Sequence, residues 1–186
     1  QRHICILLCF ILYITVLPLP VSAEEAKSKT VRVGWYEGTY NTTGADGQRR
    51  GYSYEYQQAV AAHTGWKYEY INESWEDQLE DLKCGKVDLI CNAQKTKDRE
   101  KDYEFSCMPI GTEQTVLYTS EDNEDIYFQD YEHMNGKTVG LLRGSYQNEE
   151  FEQRQGEKKF HCLEKYYKSE QDQIEALEQK KVDMIL

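Results

Sequence analysis

The chain has 186 residues, with 33 Asp and Glu against 22 Lys and Arg and a formal net charge of −11. That length accommodates one domain or two small lobes around an adequate core. The acidic balance repels phosphate backbones and excludes nucleic acid as a partner, but it identifies no ligand.

The first segment reads as an export signal. Arg2 precedes an apolar run, Ile4–Leu17, and Pro18 and Pro20 lead to Val21-Ser22-Ala23 before Glu24. Small residues ahead of an acidic stretch fit a signal-peptidase site, so residues 1–23 are expected to be a signal peptide or an N-terminal anchor. The run is short of the roughly 20 residues a spanning helix needs. Cys9 follows Leu7-Leu8 and lacks a lipobox. The sequence starts at Gln1 and stops inside an apolar strand, so a piece of a longer protein is expected.

Thr30–Trp35 alternates as a strand. A turn-rich loop follows, with Gly38, Asn41, Gly44, Asp46 and Gly47. Tyr54–Thr64 reads as a helix, with Tyr56, Ala59, Val60 and His63 at spacings of three and four and Gly65 as its stop. Trp66–Ile71 reads as a strand. Ser74 caps the next helix, with Asp77 at the capping-box position, Leu79 and Leu82 facing inward, and Gly85 at its end. Val87–Cys91 is apolar except for Asp88 and is expected to be a central parallel strand. This β-α-β-α-β order implies an α/β lobe.

Tyr103–Phe105 and Thr115–Thr119 are expected to be strands, and Asp130–Asn135 a short helix stopped by Gly136. A strand then begins at Lys137-Thr138-Val139, a helix near Gln147 and a strand near Lys158–Cys162. The helix Glu170–Lys180 and the strand Val182–Leu186 complete the series.

Part of this series occurs twice. Ser74-x-x-Asp77-Gln78-Leu79-Glu80-x-Leu82 and Lys86-Val87-Asp88-x-Ile90 return as Ser169-x-x-Asp172-Gln173-Ile174-Glu175-x-Leu177 and Lys181-Val182-Asp183-x-Ile185. The offset is a constant 95 residues, from Ser74 to Ser169. Gly38-Thr39-Tyr40-Asn41 is likewise echoed by Gly144-Ser145-Tyr146-Gln147. An ordered internal repeat argues for two similar lobes, expected at residues 30–118 and 119–186, the second incomplete. Asp88 and Asp183 begin equivalent strands, and structural placement explains them better than ligand contact.

Cys84, Cys91, Cys107 and Cys162 follow the leader. Their spacing matches no zinc pattern, and no metal or cofactor is expected. Buried free thiols and a bridge among Cys84, Cys91 and Cys107 both remain open. His63, His133 and His161 are scattered and form no nucleophile–base constellation, so the chain is not expected to be an enzyme.

The ordered motifs Val31-Arg32-Val33-Gly34, Gly51-Tyr52-x-x-Glu55, Trp75, Gly85-Lys86-Val87-Asp88-Leu89-Ile90, Thr96-x-x-Arg99, Phe105-Ser106, Gly136-Lys137-x-Val139-Gly140 and Gly144-Ser145 resemble the extracellular solute-binding proteins of family 3 and the sensor domains derived from them. The resemblance implies a type II periplasmic-binding-protein fold: two α/β lobes with a hinge, clamping a small solute, outside the cytoplasm. It implies an amino acid or related carboxylate as ligand. The output would be uptake through an ABC permease, or sensing through C-terminal signalling domains such as a histidine kinase or cyclic-dinucleotide enzyme. Some relatives with this fold are dehydratases or lyases. Membrane association would come only through the leader or a C-terminal segment.

In the family the T-x-x-R arginine receives the ligand α-carboxylate, which points to Arg99, with Thr96 capping the turn that aims it. A planar guanidinium offers a fork of donors to a planar carboxylate. Asn92 and Gln94 would line the mouth of the preceding strand, and the backbone N–H groups of Gly144-Ser145 would donate to the same carboxylate. Tyr36, Tyr40 and Trp75 are candidate walls. Tyr146 stands where the family commonly has a hydroxyl residue after Gly-Ser.

Overall fold

The computed structural model describes residues 28–186, so the expected leader, residues 1–23, lies outside the described residues. The first sheet is built on β1 (Thr30–Trp35), which buries Val31, Val33 and Trp35. It pairs in parallel along its whole length with β4 (Lys67–Asn72), from Thr30 opposite Lys67 to Trp35 opposite Asn72. On the other side of β1, Leu89 forms a parallel bridge to Val33. Between β1 and β4 the chain makes a small antiparallel hairpin, β2 (Thr42–Thr43) with β3 (Arg49–Arg50), and then α1 (Tyr52–Thr64). The helix α2 (Trp75–Cys84) leads from β4 toward the Leu89 bridge.

The second sheet has the order β5-β8-β6-β7. Its strands are β5 (Tyr118–Thr119), β6 (Thr138–Leu142), β7 (Leu163–Tyr167) and β8 (Met184–Ile185). β6 pairs in parallel with β7 and β8, while β5 runs antiparallel to β8. The helices α3 (Tyr131–Met134), α4 (Tyr146–Lys158) and α5 (Glu170–Glu178) complete it. Buried Val139, Leu141, Phe151, Phe160, Cys162 and Met184 form its core.

The repeat is visible atom by atom. The Ser74 hydroxyl accepts the Asp77 N–H at 3.2 Å, and the Ser169 hydroxyl accepts the Asp172 N–H at 3.1 Å. Each cap satisfies a donor that a helix start would otherwise leave orphaned. The Asp88 carboxylate accepts the Arg32 backbone N–H at 2.9 Å, and Asp183 accepts the Thr138 N–H at 2.7 Å. Both aspartates therefore stitch one strand to the next, as expected from their placement.

Several expectations are corrected. Tyr103–Phe105 is irregular, and of Thr115–Thr119 only β5 is strand. The strand expected near Lys158–Cys162 lies later, at β7. Phe160 and Cys162 are buried as loop residues packed on the core, whereas β7 is an exposed edge strand with a polar pattern. That inverts the burial signal on which the reading relied.

The helix at 54–64 starts at Tyr52 and turns a different face inward. Ser53 and Gln57 are buried, while Tyr56, Ala59 and His63 are exposed. Gln57 earns its burial by hydrogen bonds: its amide donates to Cys91 Sγ at 3.0 Å and its carbonyl accepts from the Tyr70 hydroxyl at 2.8 Å. In α2 the buried residues are Trp75, Gln78 and Asp81; Leu79 and Leu82 are half-buried and line a cavity. The expected strand Val87–Cys91 is irregular apart from one isolated bridge, Leu89 to Val33, so it is not a central strand among the described residues.

Cys84, Cys91, Cys107 and Cys162 are free thiols. Among the described residues no helix is long and apolar enough to cross a membrane.

Candidate functional site

The residues after the Leu89 bridge make a polar loop. Asn92 sits there at φ 65°, in the left-handed region that asparagine tolerates better than most side chains. Its amide is fixed from two sides: Ser53 Oγ donates to its Oδ1 at 2.8 Å, and its Nδ2 donates to the Tyr36 hydroxyl at 3.3 Å. Burial pushes the Tyr36 hydroxyl pKa up, so it stays neutral.

The loop then closes into a short 3-10 turn, Arg99–Lys101. The Thr96 hydroxyl accepts the Arg99 N–H at 3.1 Å, so Thr96 caps this turn. Arg99 is half-buried. Its Nη1 donates to the Gln94 carbonyl at 3.0 Å and its Nη2 to the Gly144 carbonyl at 2.9 Å. Its guanidinium carbon lies 5.9 Å from the centre of the Trp75 ring, a cation–π placement. Burial lowers the Arg99 pKa, and the nearby Glu149 opposes that shift. Two carbonyls do not exhaust the N–H groups of a guanidinium. What remains is a cation held in a fixed plane with donors to spare, suited to a carboxylate.

Trp75 is buried. Its ring packs edge-on to Tyr36 with centroids 5.3 Å apart, and its Nε1 donates to the same Gly144 carbonyl at 3.0 Å. The structure thus gathers Arg99, Trp75, Tyr36, Asn92, Gln94 and Thr96 around one point. Gly144 enters that point from the second lobe. It holds φ 73°, and a Cβ there would lie 3.4 Å from Leu79 Cδ1, so a side chain is disfavoured by conformation before contact.

Ser145 and Tyr146 lie at the start of α4, next to Gly144. The Ser145 hydroxyl donates to Gln147 Oε1, and the Gln147 amide donates to Glu113 Oε1 at 2.9 Å. Tyr40 faces Glu113 from the first lobe, and burial with that carboxylate raises its pKa. Tyr40, Asn92, Gln94 and Arg99 share the wall of a cavity of about 800 Å³ that runs on along Leu79, Leu82, Ile90 and Phe105. Thr96, Tyr36, Trp75, Ser145 and Tyr146 do not line it.

Sequence reasoning missed two participants. The Gly144-Ser145 backbone is expected to donate N–H groups, but it is the Gly144 carbonyl that enters, and the Ser145 N–H is taken by the Leu142 carbonyl at 3.2 Å. Glu170 crosses between the lobes: its Oε2 accepts the Thr39 backbone N–H at 2.7 Å and the Thr39 hydroxyl at 2.9 Å. The 95-residue repeat carried the signal for Glu170, since Trp75 stands at the same position.

The family model of the bacterial extracellular solute-binding proteins, family 3, matches residues 31–165. The probable amino-acid-binding protein YxeM of Bacillus subtilis (strain 168) is 26% identical over 139 residues, 74% of this chain and 51% of that protein. The chain thus spans about half the length of this curated relative. An ancestral arginine-binding protein bound to glutamine superposes with a TM-score of 0.74 at 22% identity, covering 84% of this chain and 68% of that one. A solute receptor for L-cysteine from Neisseria gonorrhoeae gives a TM-score of 0.68 at 17% identity, covering 84% and 63%. At these identities the superpositions establish the fold: two α/β lobes of the type II periplasmic binding proteins.

Proposed function

The chain belongs to the bacterial extracellular solute-binding proteins of family 3, and we propose that its two lobes close on an amino acid or a related small carboxylate outside the cytoplasm. One observation carries this reading. The Arg99 guanidinium is half-buried on the Trp75 face and held in plane by carbonyls from both lobes, with N–H groups left over. In our reading Arg99 binds the carboxylate and Thr96 aims it. Asn92 and Gln94 line the mouth, Tyr36, Tyr40 and Trp75 wall the side chain, and Ser145 and Tyr146 approach from the second lobe. The proposed lobes are residues 30–118 and 119–186, with β5 (Tyr118–Thr119) straddling that boundary as a strand of the second sheet. The names of the B. subtilis relative and of the arginine- and glutamine-bound ancestral proteins support the ligand class.

The role is binding rather than catalysis. The ligand shifts the lobes toward closure through its greater contact with the closed form. The output is delivery to an ABC permease or a signal to a linked domain. Uptake of labelled amino acid by cells lacking the protein separates these: lost uptake assigns transport, whereas normal uptake with a changed signalling response assigns sensing.

Thermal-shift screening against the amino acids tests the ligand class. A rise in melting temperature with at least one of them is expected, and no rise with any amino acid or small carboxylate refutes the reading. Arg99→Ala should abolish that rise while leaving the far-UV spectrum unchanged. Unaltered affinity in this variant removes Arg99 from the site.

A further inference from the structure

We propose that Trp75 and Glu170 form a reciprocal clasp that favours the closed arrangement of the two lobes independently of the ligand's own contacts, making Glu170 a positioning residue for closure. The two residues occupy one position of the internal repeat, each directly after the serine cap of its helix, Ser74 for α2 and Ser169 for α5. Each reaches the Gly-(Thr/Ser)-Tyr turn of the opposite lobe. Trp75 Nε1 donates to the carbonyl of Gly144 at 3.0 Å. Glu170 Oε2 accepts from the N–H and the hydroxyl of Thr39 at 2.7 and 2.9 Å. The turns correspond as well, Gly38-Thr39-Tyr40 to Gly144-Ser145-Tyr146. One pseudo-twofold relation therefore generates both contacts.

Both turns present a glycine to the arriving side chain. A Cβ on Gly38 would lie 2.7 Å from Glu170 Oε1 and 2.9 Å from the Tyr36 ring, so the carboxylate end would have to shift, while one on Gly144 would sit 3.6 Å from Trp75 Cδ1. The Glu170 half is the stronger one, because a carboxylate accepting two donors makes charge-assisted bonds. The Trp75 half is tied to the site, because its acceptor, the Gly144 carbonyl, also takes the Arg99 Nη2. Closure by the clasp thus brings the second lobe's backbone onto Arg99.

Glu170 and Thr39 are separated by most of the chain, so their contact reports lobe approach and not local folding. Its loss should lower the closed-to-open ratio by about tenfold, the scale of a hydrogen bond to a charged group.

The test uses ligand-free protein, so its failure leaves the amino-acid reading untouched. Small-angle X-ray scattering and single-molecule FRET between dyes at exposed Lys67 and exposed Glu157 give the closed fraction. Glu170→Ala should increase the radius of gyration and move the FRET population to low efficiency, and Glu170→Gln should restore part of the closed fraction. Gly38→Ala should open the lobes with the carboxylate intact, a result that a merely helix-stabilising Glu170 would not give. Trp75→Phe, which keeps the ring and removes the N–H, should open them further in combination with Glu170→Ala. Circular dichroism melts of each lobe variant confirm folding, and if Glu170→Ala does not fold, Gly38→Ala and Thr39→Val decide the matter. Closed fractions equal to wild type in Gly38→Ala and in Glu170→Ala or Thr39→Val overturn the clasp.

Discussion

The two lobes share a plan and differ in what fills them. In the second, aliphatic, sulfur-containing and phenylalanine side chains make a continuous core, Ile126, Met134, Val139, Leu141, Phe151, Phe160, Cys162 and Met184. In the first, the space over β1 is taken by aromatic and polar groups. Trp35 meets Tyr70 and Tyr54 edge-on, with the Arg49 guanidinium 5.2 Å from the Trp35 ring centre, and Gln57 and Ser53 are buried alongside. The cap, the Asp stitch and the strand order are common to both lobes and so belong to the fold. The interior is free to vary, and the lobe with the polar interior is the one that carries Arg99. A polar interior fixes side chains through directed hydrogen bonds, which suits a site whose members must hold their angles.

The largest expected difference comes from the cores. Leu141→Ala, at 1% exposure, should cost about 2–5 kcal/mol in chemical denaturation, because transfer and cavity terms add. A loss below about 1 kcal/mol would show that the second core is not close-packed.

A smaller effect separates two equivalent glutamines. The buried Gln173 amide donates to the Gly140 carbonyl at 3.0 Å, whereas the Gln78 amide reaches the Glu73 carbonyl only at 3.4 Å and its Oε1 has no partner. Gln173→Met should therefore destabilise by about 1–3 kcal/mol, and Gln78→Met should be near neutral. Equal losses at both positions would contradict the asymmetry.

The caps should behave alike. Ser74→Ala and Ser169→Ala should each cost about 1 kcal/mol, and a marked inequality between them would mean that the repeat is geometric but not energetic.

The smallest effect is a pH dependence in the first lobe. Arg32 donates from Nε at 2.9 Å and from Nη2 at 2.7 Å to the Asp88 carboxylate, which holds its pKa down at about 2. A depressed folded value stabilises above the unfolded value, near 3.9. That contribution is full above about pH 4 and fades as the pH falls toward 2. The pair is more than a third exposed, so solvent screens it and the contribution is small. Asp88→Asn should flatten the stability curve in that window, and an unchanged acid limb would assign the slope to other groups.

Much of this architecture is legible in the sequence, because repeats, caps and glycine stops are local. Ser74, Ser169, Gly65, Gly85 and Gly136 mark the ends of elements where the structure has them. What the sequence hides is which face turns inward once polar residues find partners. Apolar spacing selected Tyr56 and His63 in α1, yet Gln57 is inside because Tyr70 and Cys91 await it. The same limit applies to the site. Arg99 and Thr96 stand out only through the family resemblance, since an arginine in a charged run is otherwise ordinary, and the Gly144 carbonyl is silent in a string of side chains. Glu170 becomes visible only when one half of the chain is laid on the other.

The position of β5 bears on the order in which the molecule is made. Its two residues pair with β8, and Tyr118 opposite Ile185 is the widest sequence separation of any strand pair among the described residues. A chain presented from its N-terminal side can assemble β1, β4 and the Leu89 bridge as soon as Ile90 emerges. The second sheet must instead hold β5 unpaired until β8 arrives, because its long loop closes last. During synthesis or export, Tyr118, 59% exposed even in the finished fold, therefore belongs to a temporarily open edge. That is the interval in which a chaperone, or a misplaced strand, would find the chain.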